Sequence, residues 1–147
     1  VKIPVTNTQE VSSAALVKRL ASNGVKLNVT AILTLEQVST IHDALSPDTP
    51  AIVSVFAGRV ADTGRDPIPI MKTARAMLED QPKTELLWAS PREVLNIIQA
   101  DQSGCDIITA TPDILKKLSK LDYDLERFSL DTVRMFYDDA KKAKYTL

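Results

Sequence analysis

Apolar positions in this chain switch between two periods, and the switching predicts strands followed by helices. Val1-Lys2-Ile3-Pro4-Val5-Thr6 is a short apolar run bearing one cation, which reads as a buried strand. From about Thr8 to Ser22, Val11, Ala14, Val17, Leu20 and Ala21 share one helical face, and Asn23-Gly24 supplies a C-terminal stop. Val25 to Leu33 alternates, with Val25, Leu27, Val29 and Ala31 on one side and Lys26, Asn28 and Thr30 on the other. Thr34-Leu35-Glu36-Gln37 is a capping box opening a helix to about Leu45, where Ser46-Pro47 ends it.

The same alternation continues. Ala51 to Phe56 is a third strand and Gly58 to Arg65 a polar loop, with Asp66-Pro67 starting a helix to about Glu79. Thr84 to Ala89 is a fourth strand. Ser90-Pro91-Arg92-Glu93 has the cap, N1 proline and N3 glutamate of a helix through about Ala100. Asp106 to Ala110 is a fifth strand, followed by a short helix from Thr111-Pro112-Asp113 to about Ser119. Ser129 to Lys142 is a last helix that turns Leu130, Val133, Phe136 and Tyr137 inward.

Strands each followed by a helix are the pattern of parallel βα units in an α/β fold. Five of them make either a complete doubly wound sheet or part of an eight-stranded βα (TIM) barrel. The central strands of a doubly wound sheet are covered on both faces and read as continuous apolar runs. Here Lys2, Asn28 with Thr30, and Ser54 with Phe56 occupy one parity of three strands, against Ile3, Val29, Val53 and Val55 on the other. Polar groups on one face of successive strands favour the barrel, whose inner face turns polar near its catalytic mouth.

Composition narrows the chemistry. The 147 residues are 44% hydrophobic and 25% charged, enough for the ordinary core of one domain spanning 1–147. A formal net charge of -1 without a long run of one sign argues against nucleic acid as a partner. One cysteine, Cys105, makes no internal disulfide, and one histidine, His42, builds no His-rich metal site. No apolar run approaches the roughly 20 residues of a membrane span, so no membrane partner is expected and the cytoplasm is the expected compartment. His42 and Trp88 read as structural, the first on an outer helix and the second in packing.

A terminal lysine most often reaches solvent, since Lys is almost never fully buried unless paired. The chemical alternative for Lys2 is a neutral amine that attacks a carbonyl and forms a Schiff base. The surrounding motifs bear on that choice. Val-Lys-Ile-Pro-Val-Thr at 1–6 resembles the fourth strand of the transaldolases, in particular the small ones that include the fructose-6-phosphate aldolases, where the lysine is the Schiff-base residue. Asn28-Val29-Thr30 resembles their fifth strand, Ser54-Val55-Phe56-Ala57-Gly58-Arg59 their sixth, and Gly104-Cys105-Asp106-Ile107-Ile108-Thr109 their eighth. The chain is thus similar to about strands 4 to 8 of that barrel. The family's first three strands, which carry an acidic residue and a Glu or Gln that helps hold a catalytic water, would precede Val1.

The resemblance implies a catalytic set of Lys2, Asn28 and Thr30, in which the last two orient the lysine and hold a proton-shuttling water. Ser54 and Phe56 would line the pocket, and a Phe there goes with transaldolases where the aldolases have Tyr. Arg59, Ser90 and Arg92 would bind the substrate phosphate, Arg59 aided by the dipole of a helix starting at Ser90. Ala89-Ser90-Pro91-Arg92 departs from the family's seventh strand by placing proline between Ser and Arg. The implied activity is transfer of a dihydroxyacetone unit between sugar phosphates, as in the pentose phosphate pathway, with no metal or organic cofactor. The alternatives are a class I aldolase and a non-catalytic βα interaction module. Implied partners are sugar phosphates, further copies in a homo-oligomer, and the N-terminal barrel strands. Without those strands the sheet would have two open edges and an exposed inner face, so the five units alone are not expected to be a self-sufficient folding unit.

Overall fold

The structure, a computed structural model, describes residues 1–145. The described chain divides into two units, residues 1–115 and 116–145. The first contains five strands, β1 (Lys2–Pro4), β2 (Leu27–Ile32), β3 (Ala51–Val55), β4 (Thr84–Trp88) and β5 (Ile107–Ile108), in one sheet of order β1-β2-β3-β4-β5. Every pairing is parallel. Purely sequential order distinguishes the two architectures left open by the sequence, because a doubly wound sheet reverses strand order at its switch point. The five-stranded sheet is that of a partial βα barrel.

The helices connecting these strands are α1 (Ala14–Ser22), α2 (Leu35–His42), α3 (Ala57–Ala61), α4 (Ile68–Met77) and α5 (Leu95–Gln102), and α6 (Pro112–Lys116) follows β5. Against one face of the sheet they seal Val29, Val53, Val55, Leu86 and Trp88, all at 0% exposure, with Val17, Val38, Ile41, Met71 and Ala74 from the helices. Burying a side chain of this size contributes about 1.5–3 kcal/mol each, so this face is where the sheet's stability is concentrated. The capping box is present at α2: Thr34 Oγ1 accepts from Gln37 N–H, and Gln37 Oε1 accepts from Thr34 N–H.

Local chemistry moves several predicted boundaries. Residues 8–13 are not helical, because Asn7 Oδ1 accepts from the N–H groups of Gln9 and Val11 and closes a turn, with Glu10 at φ 62°. Val11 is consequently exposed. Ala31 does not share the packed face with Val29: it sits at φ 62° in a bulge, and Ile32 takes the place opposite Val55. The polar loop predicted from Gly58 begins as α3. The helix predicted from Ser90 starts only at Leu95, because Ser90 adopts φ 59°, a left-handed conformation no helix start accepts.

The second unit holds a 3-10 turn (Lys117–Lys120) and α7 (Leu125–Lys142), which begins earlier than predicted because Asp124 caps it by accepting from Arg127 N–H at 2.8 Å. Its small cluster joins the Tyr123 and Phe128 rings edge to face at 5.6 Å, with Lys120 Nζ 4.4 Å from the centre of the Phe128 ring. Leu130, Val133, Phe136 and Tyr137, predicted to face inward, are exposed. The helical period fixes which residues share a face, but a face is buried only where another element covers it.

Candidate active site

The sheet's other face carries the polar parity. In register across β1 and β2, Lys2 lies beside Asn28 and Pro4 beside Thr30, while β3 and β4 set Ser54 beside Leu87. The bulge at Ala31 lies between the Val29–Val53 and Ile32–Val55 pairs, so it adjusts β2 directly after Thr30. Lys2, Asn28, Thr30, Ser54, Phe56 and Ser90 line one cavity of about 310 Å³. It opens where the strands end and their following turns begin, the place where barrel enzymes assemble catalytic groups.

The polar contacts within it are few and specific. Ser54 Oγ, itself buried, donates to Asn28 Oδ1 at 2.7 Å, which fixes the Asn28 amide and leaves Nδ2 as a donor. Thr30 Oγ1 is buried without a hydrogen-bond partner among the described residues, an arrangement native interiors generally avoid unless a water or ligand completes it. The strand predicted around Lys2 forms and buries Ile3 and Val5, but Lys2 itself is exposed: β1 pairs only with β2 among the described residues.

Arg59 is outside the cavity lining, exposed on α3 with its guanidinium carbon 5.4 Å from the centre of the ring of Phe56, which does line it, a cation–π distance. Because α5 starts at Leu95, no helix N-terminus stands at Ser90 to assist Arg59. Gly58 donates its N–H to Ala89 O at 3.2 Å, and a Cβ at Gly58 would lie 1.5 Å from Ser90 O. Only glycine lets the turns after β3 and β4 come so close. Arg92 is outside the cavity lining; its Nε and Nη2 donate to the two carboxylate oxygens of Asp62 at 3.2 and 2.5 Å.

Leu87, Ala89 and Thr109 also line the cavity and were not singled out from the sequence. Register between strands places them: Ile107 pairs with Leu87, so Thr109, two residues on, returns to the inner face. Trp88 and His42 stand outside the site, as predicted. Trp88 is fully packed, and His42 bridges Asp43 and Asp80 at 3.0 and 2.7 Å. Burial, reinforced by Asp106, pushes the Cys105 thiol up to about 12, so it offers no thiolate near neutral pH. Among the described residues no three His, Cys, Asp or Glu side chains gather as a metal site, and no helix is long and apolar enough to cross a membrane.

A sequential parallel sheet with helices on one face and a lysine-bearing polar cavity on the other is that of part of a βα barrel. Comparison with known proteins makes the assignment specific. The model of the family described as Transaldolase/Fructose-6-phosphate aldolase matches residues 1–147, and the chain belongs to that family. It is 30% identical over 146 residues to a "Probable transaldolase" of Nitrosopumilus maritimus, covering 98% of this chain and 60% of that protein. It is 32% identical over 136 residues to a "Probable transaldolase" of Caldicellulosiruptor saccharolyticus, covering 89% and 59% respectively. The chain thus spans about three-fifths of the length of these relatives.

Proposed function

We propose that this chain carries the Schiff-base site of a transaldolase-like enzyme that moves a dihydroxyacetone unit between sugar phosphates, with Lys2 as nucleophile. The observation that carries this reading is convergence: Lys2, Asn28, Thr30, Ser54 and Phe56, from three strands and their ends, line one cavity. The relatives' names, probable transaldolases, support the same class.

In this reading the free amine of Lys2 adds to the ketose carbonyl carbon, and loss of water leaves an iminium. The iminium draws the electron pair of the neighbouring carbon–carbon bond into an enamine as the hydroxyl beyond that bond gives up its proton and departs as an aldehyde. The enamine carbon then attacks the carbonyl carbon of an acceptor aldehyde, whose oxygen takes a proton. Water hydrolyses the new iminium and frees Lys2. Asn28, held by Ser54, directs Nδ2 toward a substrate hydroxyl, and the unpartnered Thr30 hydroxyl holds the water that relays protons. Arg59 and Ser90 take the phosphate, whereas Arg92 reaches it only by leaving Asp62. No metal or organic cofactor enters the scheme.

Phe56 favours transfer over simple aldol cleavage, following the family's division between Phe and Tyr at that place. The exposure of Lys2 on the outermost strand favours the rival reading of a non-catalytic interaction module. Three further βα units packed against β1 would remove that difficulty by enclosing the lysine and supplying the acidic group, and the enzyme would work in the cytoplasm, as a homo-oligomer where copies associate. The decisive experiment is borohydride reduction of the full-length protein with a ketose phosphate. We expect a mass-spectrometric adduct on Lys2; an adduct elsewhere, or none, would overturn the proposal.

A further inference from the structure

The turn after β4 is held in an uncommon conformation from several sides. Ser90 is a non-glycine residue at φ 59°, its carbonyl oxygen occupies the space a Gly58 side chain would need, and Pro91 follows without an N–H to donate. The next two N–H groups, of Arg92 and Glu93, both donate to Asn96 Oδ1, at 2.7 and 3.2 Å. Asn96 is 6% exposed, and its own Nδ2 donates to Gln99 Oε1 at 2.9 Å, which fixes which end of the amide faces the turn. The Arg92 guanidinium reaches across to Asp62, the residue that ends α3. A strained residue persists only where its surroundings over-determine it, and the side-chain acceptor that closes this turn is Asn96.

We infer that Asn96 is a positioning residue for phosphate recognition: by closing the 91–93 turn it keeps Ser90 at the cavity in its left-handed conformation. The inference rests on the assignment of Ser90 as a phosphate contact under the proposed function. It differs from a purely structural role in what its loss should do. A structural Asn96 would weaken every substrate alike, whereas a positioning Asn96 acts on the phosphorylated end alone.

The test combines calorimetric titration of the full-length protein with inorganic phosphate and steady-state kinetics on a phosphorylated ketose and its unphosphorylated counterpart. Asn96→Ala removes the acceptor of two N–H groups. It should weaken phosphate binding and raise KM for the phosphorylated substrate about tenfold or more, while kcat and the unphosphorylated KM stay within about twofold. Asn96→Asp keeps an oxygen acceptor for both N–H groups and should restore phosphate affinity. Unchanged phosphate affinity in the Ala variant, equal losses on both substrates, or an Asp variant as impaired as Ala would overturn the inference. Should the Ala variant fail to fold, Gln99→Leu leaves the acceptor in place but frees the amide to rotate. It should raise the phosphorylated KM selectively by about threefold, and no selective change there would equally overturn it. Phosphate binding that depends on Asn96 without any adduct on Lys2 would defeat the Schiff-base proposal alone. An adduct on Lys2 with phosphate affinity indifferent to Asn96 would defeat this inference alone.

Discussion

The two faces of the sheet obey different rules although the same strands build both. On the helix side, Val29, Val53, Val55, Leu86 and Trp88 are fully buried, and Trp88 Nε1 has no hydrogen-bond partner among the described residues. On the cavity side, Lys2 is exposed, Asn28 is tied to Ser54, and the buried Thr30 hydroxyl lacks a partner. Packing energy is therefore concentrated on the helix-covered face. Unpartnered buried polar atoms occur on both faces, Trp88 Nε1 on one and Thr30 Oγ1 on the other, but only Thr30 lines the cavity, where a water or substrate can complete its hydrogen bond.

Substitutions sharpen that contrast. The largest stability loss should come from Trp88→Ala on the sealed face, about 3–5 kcal/mol, because both transfer energy and cavity formation act there; chemical denaturation measures it, and a loss below about 1 kcal/mol would contradict the packing. Next comes Gly58→Ala at the cavity mouth. Its Cβ must displace the Ser90 carbonyl, which should cost about 1–3 kcal/mol, and thermal melting together with sugar-phosphate affinity should fall in parallel. Thr30→Val should separate the faces most cleanly. Exchanging an unpartnered buried hydroxyl for a methyl should leave stability unchanged or raise it by up to about 1 kcal/mol. It should nevertheless lower turnover about a hundredfold, the usual scale of proton-transfer assistance.

The smallest effect is expected from His42, outside both faces. Both ring nitrogens meet carboxylates, Nδ1 with Asp43 and Nε2 with Asp80, and only the doubly protonated ring donates to both. These hydrogen bonds, that to Asp43 foremost, hold its pKa above the ordinary 6.5 against the opposing effect of burial. A raised folded-state pKa means that the added stability is fully present below about pH 6.5 and is lost as pH rises through the folded value. The melting temperature of the wild type minus that of His42→Gln should thus shrink from pH 5.5 to pH 8.5, by about the amount a partly exposed ion pair supplies. A difference that grows with pH would refute the bridging role.

Much of the site was legible before the fold because strand alternation is local: Asn28 and Thr30 flank Val29, and Ser54 flanks Val53 and Val55, so their parity follows from spacing alone. Leu87 and Thr109 escaped notice because their place depends on register between strands, which spacing within one strand does not contain. The apparent helix start at Ser90 misled for a related reason. Ser, Pro and Glu at cap spacing satisfy the local rule, but contact with Gly58 and the pull of Asn96 on the next two N–H groups favour a left-handed Ser90 instead. The Ala31 bulge and the Asn7 turn are further cases in which backbone geometry overrode an apolar period.

By itself the sequence determined the order of strands and helices, the α2 capping box, the apolar face of the sheet and the family to which the motifs point, because each depends on neighbours within a few residues or on residue identity. It also determined that α7 has an apolar stripe. Only the tertiary structure decided that the parallel strands lie in sequential order, that the β3 and β4 turns interlock through Gly58 and Ser90, that Arg92 rests on Asp62, and that the stripe of α7 is exposed. These are contacts between residues distant in the chain, and whether such a contact forms depends on which surfaces the folded backbone brings within reach rather than on any pattern carried by one segment.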